Sequence, residues 1–159
     1  MLRRPDVVNL ETHYSSSPSS GFWVLEFNGN IIGTIAVDAI PDSQPEKPPG
    51  KKGKAKEKKG ATETSVALIR HFYVDEQYRR SGIQDDLLSH AVKHAFESNA
   101  ALRQVKAADS PLTRYIRKSL QTGGFRLDQH TETIGVFRWK LGMRVLEREE
   151  WEKQVSAKN

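Results

Sequence analysis

The stretch Tyr78–Leu88 reads YRRSGIQDDLL and joins a basic pair to a glycine and then to the start of an apolar pattern. Two interpretations fit it: an ordinary helix start that follows two solvated arginines, or a helix N-terminus that holds an anion. The first turn of a helix presents unpaired N–H groups and the positive end of the helix dipole, and Gly82 lets a ligand come close to the backbone. A diphosphate beside Arg79 and Arg80 is the ligand that the second interpretation favours.

The flanking residues place this stretch between a strand and a helix. Upstream, SVALIRHFYV is rich in β-branched and aromatic residues and predicts a strand that ends at Val74. Downstream, apolar residues recur every four positions, which predicts an amphipathic helix; they are Ile83, Leu87, Ala91 and Ala95.

Further along the chain the same alternation of strand and helix continues. LRQVKAAD predicts a short strand, and SPLTRYIRKSLQTGGF predicts a second helix. Ser110 suits the cap of that helix, Pro111 its first position, and Gly123 or Gly124 its end. RLDQHTETIGVFRWKLG then predicts one or two closing strands.

The N-terminal part predicts a short helix from about Asp6 and then a β-hairpin. FWVLEF and IIGTIAVDA flank NGN, and Asn-Gly tolerates the positive φ that tight hairpin turns need. Strand–helix–strand connections of a dozen or more residues are parallel crossovers. The sequence therefore predicts an α/β (α+β) fold whose mixed sheet has an antiparallel N-terminal meander and a parallel centre, flanked by helices.

A lysine- and proline-rich insert, Pro41–Thr64, interrupts the predicted domain. It holds seven lysines against four acidic residues, which is +3 of the formal net charge of +5. A segment so poor in apolar residues cannot offset its ordering entropy, so we expect a disordered, solvated loop. A tether to anionic membrane or nucleic acid is the other interpretation. Because little positive charge remains elsewhere, a nucleic-acid partner is not favoured. We expect one domain over residues 1–142 and a charged tail over 143–159, for which a helix is one option.

The composition excludes several classes of protein. Without cysteine the chain has no thiol nucleophile, disulfide or cysteine–zinc site. No apolar run approaches the ~20 residues that span a bilayer, and no apolar signal-peptide core is visible. We therefore expect the chain as given to be soluble.

The stretch from Phe72 to Phe96, FYVDEQYRRSGIQDDLLSHAVKHAF, resembles the central motif of the GCN5-related N-acetyltransferase (GNAT) superfamily. That motif is a strand, then R-x-x-G-x-G/A, then an amphipathic helix, and residues 79–84 match it. SSGFWVLEFNGNIIGTIAVDA is similar to the second and third strands of that fold, and GGF to the end of its last helix. The likeness covers roughly residues 6–141 outside the insert. It is greatest to the domain that follows the membrane region in N-acetyltransferases anchored in the endoplasmic reticulum membrane.

The resemblance implies a GNAT-like fold that binds acetyl-CoA, needs no metal, and transfers an acetyl group directly to a primary amine of a protein or small molecule. It implies that the pyrophosphate and pantetheine arm contact Phe72, Tyr73, Val74, Arg79, Arg80, Ser81, Gly82, Ile83 and Gln84. The first strand and helix of the fold have no counterpart here. This suggests a fragment whose parent carries those elements and a membrane anchor, and so associates with the endoplasmic reticulum membrane; a cytoplasmic parent is the alternative.

Three residues depart from the superfamily pattern. Gln84 stands where the pattern has Gly or Ala. Leu120 stands where many members have a tyrosine that protonates the leaving thiolate, and Leu68 where many have a glutamate base. These departures leave two functions open: an active N-acetyltransferase, or a weak or inactive GNAT-fold module that serves as a scaffold of a membrane-associated protein.

Other side chains are candidates for the missing proton transfers. Asp109 ends the fourth strand and is a candidate base, and His71 on the preceding strand is another. Tyr115 is a candidate acid, slightly more than one helical turn before position 120. His90 and His94 have the i, i+4 spacing of metal ligands, but without a third ligand we interpret them as the polar flank of the helix.

Overall fold

The computed structural model describes residues 10–15, 17–40, 65–136 and 138–158, and their strands form a six-stranded sheet in the order β1-β2-β3-β4-β6-β5. The β3–β4 pair is parallel and the other pairs are antiparallel, which confirms the predicted mixed sheet. The strands are β1 (Gly21–Phe27), β2 (Asn30–Ile40), β3 (Val66–Val74), β4 (Gln104–Asp109), β5 (Arg126–Ile134) and β6 (Trp139–Glu147). The helices are α1 (Leu10–Tyr14), α2 (Ile83–Ser98), α3 (Arg114–Thr122) and α4 (Arg148–Lys158), with a 3-10 turn at Glu76–Tyr78.

The predicted hairpin joins β1 to β2. Asn28 and Gly29 have φ values of 52° and 77°, the left-handed conformation that the Asn-Gly sequence tolerates. The insert lies outside the described residues. However, Ile40 pairs with Val66 at the end of the β2–β3 ladder, so the strands that flank the insert are neighbours in the sheet.

The two faces of the sheet carry different helices. Successive side chains of a strand point to opposite faces, and β1 shows this directly. The Trp23 ring contacts two histidines of α2, whereas the Phe22 ring lies 5.6 Å from the ring of Tyr14 in α1. We call the α1 side the front face and the side of α2 and α3 the back face.

The hydrophobic core lies on the back face. The buried stripe of α2 packs there with residues of β2, β3, β4 and α3. Its members are the residues that the helical periodicity predicts together with their neighbours: Leu87, Leu88, Ala91, Val92, Ala95 and Phe96.

The second predicted helix begins later than its sequence suggests. Ser110 does not cap it, because its hydroxyl accepts the N–H of Leu112 at 3.2 Å and closes a turn before the helix. The helix starts at Arg114 with Thr113 in the cap position. Its end is as predicted, with Gly123 at the cap and Gly124 at φ 85°.

The domain does not end at residue 142. Residues up to Glu147 belong to β6, which lies between β4 and β5 and pairs with both. Apolar residues of this segment, such as Leu146, are buried in the core, so the chain between 143 and 147 is not a tail. The expected helix is present from Arg148 onwards.

Arg148 fixes this C-terminal helix to the end of α2. Its guanidinium donates to the carbonyl oxygens of Phe96, Asn99 and Leu102 at 2.8, 2.5 and 2.7 Å. These carbonyls lie at and just beyond the C-terminus of α2, where no intrahelical donor is available. Within the described part of the chain, no helix is long and apolar enough to cross a bilayer.

Candidate active site

A cleft opens where the parallel strands β3 and β4 part. Val66–Ile69 of β3 pairs with Gln104–Ala107 of β4, and the ladder ends there. Beyond Ile69, β3 keeps its partner β2 but has no ladder to β4, so one edge of its backbone faces open space. Groups on such an edge can hydrogen-bond an extended ligand.

A bulge in β3 coincides with the point of divergence. Thr34 of β2 pairs with Tyr73 and Ala36 pairs with Arg70, so His71 and Phe72 together oppose a single residue. His71 has a φ of 50°, and its carbonyl accepts the hydroxyl of Thr34 at 2.8 Å. The extra residue places two consecutive side chains, Arg70 and His71, toward the front face.

The cleft encloses a cavity of about 310 Å³. Its walls combine apolar residues with a few polar groups, which is the usual composition of a small-molecule site. The lining residues are Ile69, Arg70, His71 and Phe72 from β3, Ala107 and Ala108 from β4, and Ser110, Thr113 and Ile116 from the loop and helix that follow.

The loop after β3 leads to an open helix N-terminus. Gly82 caps α2 at φ 84° without a side-chain cap, and a Cβ at this position would meet nothing within 4 Å. The N–H groups of Gly82, Ile83 and Gln84 find no acceptor within the described ranges, whereas Ser81 bonds back to Tyr78 through both its N–H and its hydroxyl. The geometry is that of an anion cradle.

The two arginines of the loop differ in their surroundings. Arg79 Nε donates to the carbonyl of Val74 at 3.0 Å, and its guanidinium lies 4.3 Å from the ring centroid of Tyr115. Arg80 is exposed. Arg79 therefore links β3, the loop and α3, while Arg80 is free to move toward a ligand.

The remaining predicted cleft residues of β3 lie at its C-terminal end. Phe72 lines the cavity and packs against the core, Val74 is fully buried, and Tyr73 is about half exposed. Gln84, in the first turn of α2, is partly buried, and its Oε1 has no hydrogen-bond partner among the described residues. This oxygen therefore accepts no hydrogen bond from the described part of the chain.

Asp109 lies on the back face with both carboxylate oxygens in use. Arg117 Nε donates to Oδ1 at 2.7 Å, and Arg144 Nε lies 3.4 Å from Oδ2. The side chain is only 6% exposed. Its surroundings favour an ion-pairing role over the acceptance of a proton from a substrate.

Leu120, Tyr115 and Leu68 lie in three different environments. Leu120 is fully buried in the core, so no side chain there reaches a ligand. Tyr115 is half-buried beneath Arg79, beside the loop and not among the residues that line the cavity. Leu68 lies opposite Asp38 of β2, so a carboxylate stands on the neighbouring strand.

Sequence reasoning missed the polar cluster on the front face. Asp38 Oδ2 lies 3.1 Å from Arg70 Nε and 3.3 Å from Nε2 of His13 in α1. The insert separates Asp38 from Arg70 in the sequence, and only the strand register brings them together. A charged residue inside the otherwise apolar run SVALIRHFYV was the available signal.

The histidine pair of α2 packs against an aromatic ring. The rings of His90 and His94 lie 5.5 and 5.0 Å from that of Trp23, edge-on. They therefore cover the edge of the sheet and are not simply a solvated flank. In the described ranges no group of three or more potential metal ligands occurs.

Solved structures of acetyltransferases share this architecture. A GNAT-family acetyltransferase from Streptococcus pneumoniae matches with a TM-score of 0.63 at 14% identity, over 86% of this chain and 71% of that one. A spermidine/spermine N-acetyltransferase from Vibrio cholerae matches with 0.61 at 11%, over 92% and 77%. A ribosomal-protein-alanine N-acetyltransferase from Brucella melitensis matches with 0.59 at 16%, over 87% and 74%. The splayed strands and glycine loop thus define a GNAT-like fold.

The amino-acid sequence indicates the same family. The model of the acetyltransferase (GNAT) family matches residues 3–119, and the chain belongs to this family. Proteins of the family use acetyl-CoA as the acetyl donor. No curated protein matches the chain in sequence.

Proposed function

We propose that the protein is an acetyl-CoA-dependent N-acetyltransferase that transfers the acetyl group directly to a primary amine. The main support for this proposal is that the cleft forms one continuous surface from β3 to α2. An open strand edge at Arg70–Val74 leads to the uncapped N-terminus of α2 at Gly82. One surface thus offers bonds to an extended amide chain and to a diphosphate.

Each part of the cleft has a role in this proposal. The N–H groups of Gly82, Ile83 and Gln84 bind the pyrophosphate together with the α2 dipole, and Arg80 adds a mobile positive charge. The backbone of Phe72, Tyr73 and Val74 holds the pantetheine arm, which places the thioester near the bulge at His71.

His71 is the best-placed candidate base, because of the three candidates it alone is both titratable and part of the cavity wall. Its imidazole takes one proton from the ammonium group of the acceptor. The amine nitrogen then attacks the thioester carbonyl, forming the C–N bond while the C–S electron pair leaves with sulfur. The second N–H proton passes to that sulfur, so the products are the amide, coenzyme A and one released proton. A positioned base contributes about 10²–10⁴-fold.

A CoA-binding module without transfer activity is the second candidate. Leu120 favours it, because a leucine side chain, here buried in the core, has no proton to donate to a leaving thiolate. Tyr115 would have to move from beneath Arg79 to do so.

Calorimetry with acetyl-CoA tests the proposal with a matched pair of variants. Gly82 and Gly29 both have positive φ and open space around a Cβ, but only Gly82 is part of the cleft. We expect Gly82→Ala to weaken acetyl-CoA binding at least about tenfold, because the added methyl group occupies the space at the helix N-terminus where the pyrophosphate binds. The backbone strain of the substitution, about 1–2 kcal/mol, is matched in the Gly29 variant. Gly29→Ala should bind like the native protein.

Three outcomes divide the candidates. The absence of binding to the native protein at millimolar acetyl-CoA would overturn both. Binding with release of coenzyme A in the presence of a primary amine supports the transferase. Binding without release across a panel of amines identifies the module.

The membrane context is a further part of the proposal. The resemblance to membrane-anchored acetyltransferases supports an association of the parent protein with the endoplasmic reticulum membrane, through a region outside this chain or weakly through the lysine-rich insert. Fractionation of the natural full-length protein tests this, and recovery in the cytosolic fraction alone would contradict it.

A further inference from the structure

Arg70 directly precedes the bulge and is the charged residue among those that line the cavity. Its Nε lies 3.1 Å from Asp38 Oδ2, and the same oxygen lies 3.3 Å from Nε2 of His13. The Asp38 side chain is 16% exposed, and those of Arg70 and His13 are each 35% exposed. The carboxylate therefore holds the guanidinium from behind while part of it stays accessible.

The ion pair leaves the outer end of the guanidinium unused. A guanidinium has five N–H donors, of which Nε supplies one. The two terminal nitrogens of Arg70 make no hydrogen bond to another described residue, and the ion pair with Asp38 is closest at Nε. A terminal fork of this kind matches a carboxylate in bidentate geometry.

The charge around the fork favours an anion. Asp38 balances Arg70, and the other titratable side chains near it on the front face include His13, His71 and Lys106, which pairs with Asp128. Of the described residues, Asp38 is the one carboxylate in contact with Arg70. No second acidic group competes for the terminal nitrogens.

We propose that the acceptor amine carries a carboxylate and that the terminal nitrogens of Arg70 bind it, with Asp38 and His13 as positioning residues. This inference rests on the proposed transferase function. The bulge turns consecutive residues to one face, and consecutive Cα atoms lie only about 3.8 Å apart. The anion-binding group and the candidate base, His71, thus suit an amine and a carboxylate a few bonds apart, as in α-amino acids or peptides with an acidic N-terminal residue.

Three acceptors that share one side chain test this inference. Phenylalanine carries the carboxylate, phenylalaninamide replaces it with a neutral amide, and phenethylamine lacks it. We expect the native protein to prefer phenylalanine over the other two by about 10- to 100-fold in kcat/KM, the range for losing a charge-assisted hydrogen-bonded pair.

Variants of Arg70 give the second part of the test. Arg70→Gln should abolish the preference, mainly by raising KM for phenylalanine, and should leave the Kd of acetyl-CoA unchanged. Arg70→Lys keeps the charge but loses the fork, so it should retain only part of the preference. The matched control is Arg126→Gln, an exposed arginine paired with Glu150 away from the cleft, and it should leave the preference intact.

The possible outcomes distinguish the carboxylate site from the proposed transferase function on which it rests. Failure of the native protein to bind acetyl-CoA would overturn both. Transfer without a preference for phenylalanine would overturn the carboxylate site alone. A change in acetyl-CoA affinity in Arg70→Gln, with the acceptor preference intact, would also overturn it by assigning Arg70 to the donor. Because the native preference and the Arg70→Lys variant are measured independently, an unstable Arg70→Gln protein would not prevent a decision.

Discussion

Two carboxylates pair with arginine close to the same cleft, one on each face of the sheet. On the back face, Asp109 engages Arg117 and Arg144 with both oxygens, and its side chain is 6% exposed. On the front face, Asp38 meets Arg70 through one oxygen. Both oxygens of Asp109 are engaged and neither of its arginines lines the cavity, whereas the guanidinium of Arg70 is part of the cavity wall.

The difference separates a structural ion pair from a candidate binding site. Residue type does not distinguish the two, since each combines an aspartate and an arginine from neighbouring elements. What differs is the burial of the carboxylate, 6% exposed for Asp109 and 16% for Asp38, and the position of the arginine, because only Arg70 lines the cavity. Replacing the aspartates one at a time is therefore the direct way to test the comparison.

The largest effect is expected for Asp109→Asn. It removes the negative charge between two arginines, of which Arg144 is only 10% exposed, and breaking a buried ion pair by removing one partner is strongly destabilising. We expect the free energy of unfolding to fall by about 3 kcal/mol, measured by denaturant titration. Asp128→Asn is the control, because Asp128 is itself exposed and forms a longer pair with Lys106 at 3.8 Å. Equal stability of the two variants would contradict the assignment.

A smaller effect on stability is expected for Asp38→Asn. Its partners are more exposed, and pairs of this kind contribute about 0–1 kcal/mol. The main consequence should be functional: a loosely held Arg70 binds a carboxylate less well, so KM for a carboxylate-bearing acceptor should rise about fivefold or more. A loss of stability as large as that of Asp109→Asn would instead make both clusters structural.

The smallest effect is expected for His13→Gln. His13 contacts Asp38 of the cluster at 3.3 Å, and glutamine can keep a donor near that oxygen. We expect the unfolding free energy to change by less than about 1 kcal/mol and KM for the acceptor to rise about two- to threefold. His130→Gln, on exposed β5, is the control and should leave KM unchanged. A lower kcat with unaltered KM would instead indicate that His13 takes part in the chemical step and does not merely position Arg70.

The sequence was sufficient to predict the fold because the decisive signals are local. The strand that ends at Val74, the glycine at position 82 and the four-residue apolar spacing of α2 are each readable within a short window. The Asn28–Gly29 turn likewise specifies its own hairpin. Such patterns depend on backbone geometry and periodicity, which do not require knowledge of distant partners.

The front-face cluster could not be predicted because it depends on register. The contact between Asp38 and Arg70 follows from the β2–β3 ladder and from the bulge at His71. One extra residue in a strand leaves no clear trace in the sequence, yet it decides which side chains share a face. The late start of α3 was not predicted either, because a serine such as Ser110 can close a turn as readily as it can cap a helix.

The position of β6 has a consequence for synthesis of the chain. β6 fills the gap between β4 and β5, and in the described sheet β5 pairs only with β6. Until Trp139–Glu147 has left the ribosome, β4 therefore presents an unpaired edge and β5 lacks its neighbour. Open edges of this kind can pair with other chains, so the nascent domain depends on its last strand for protection and cannot complete its sheet while that strand is in the exit tunnel.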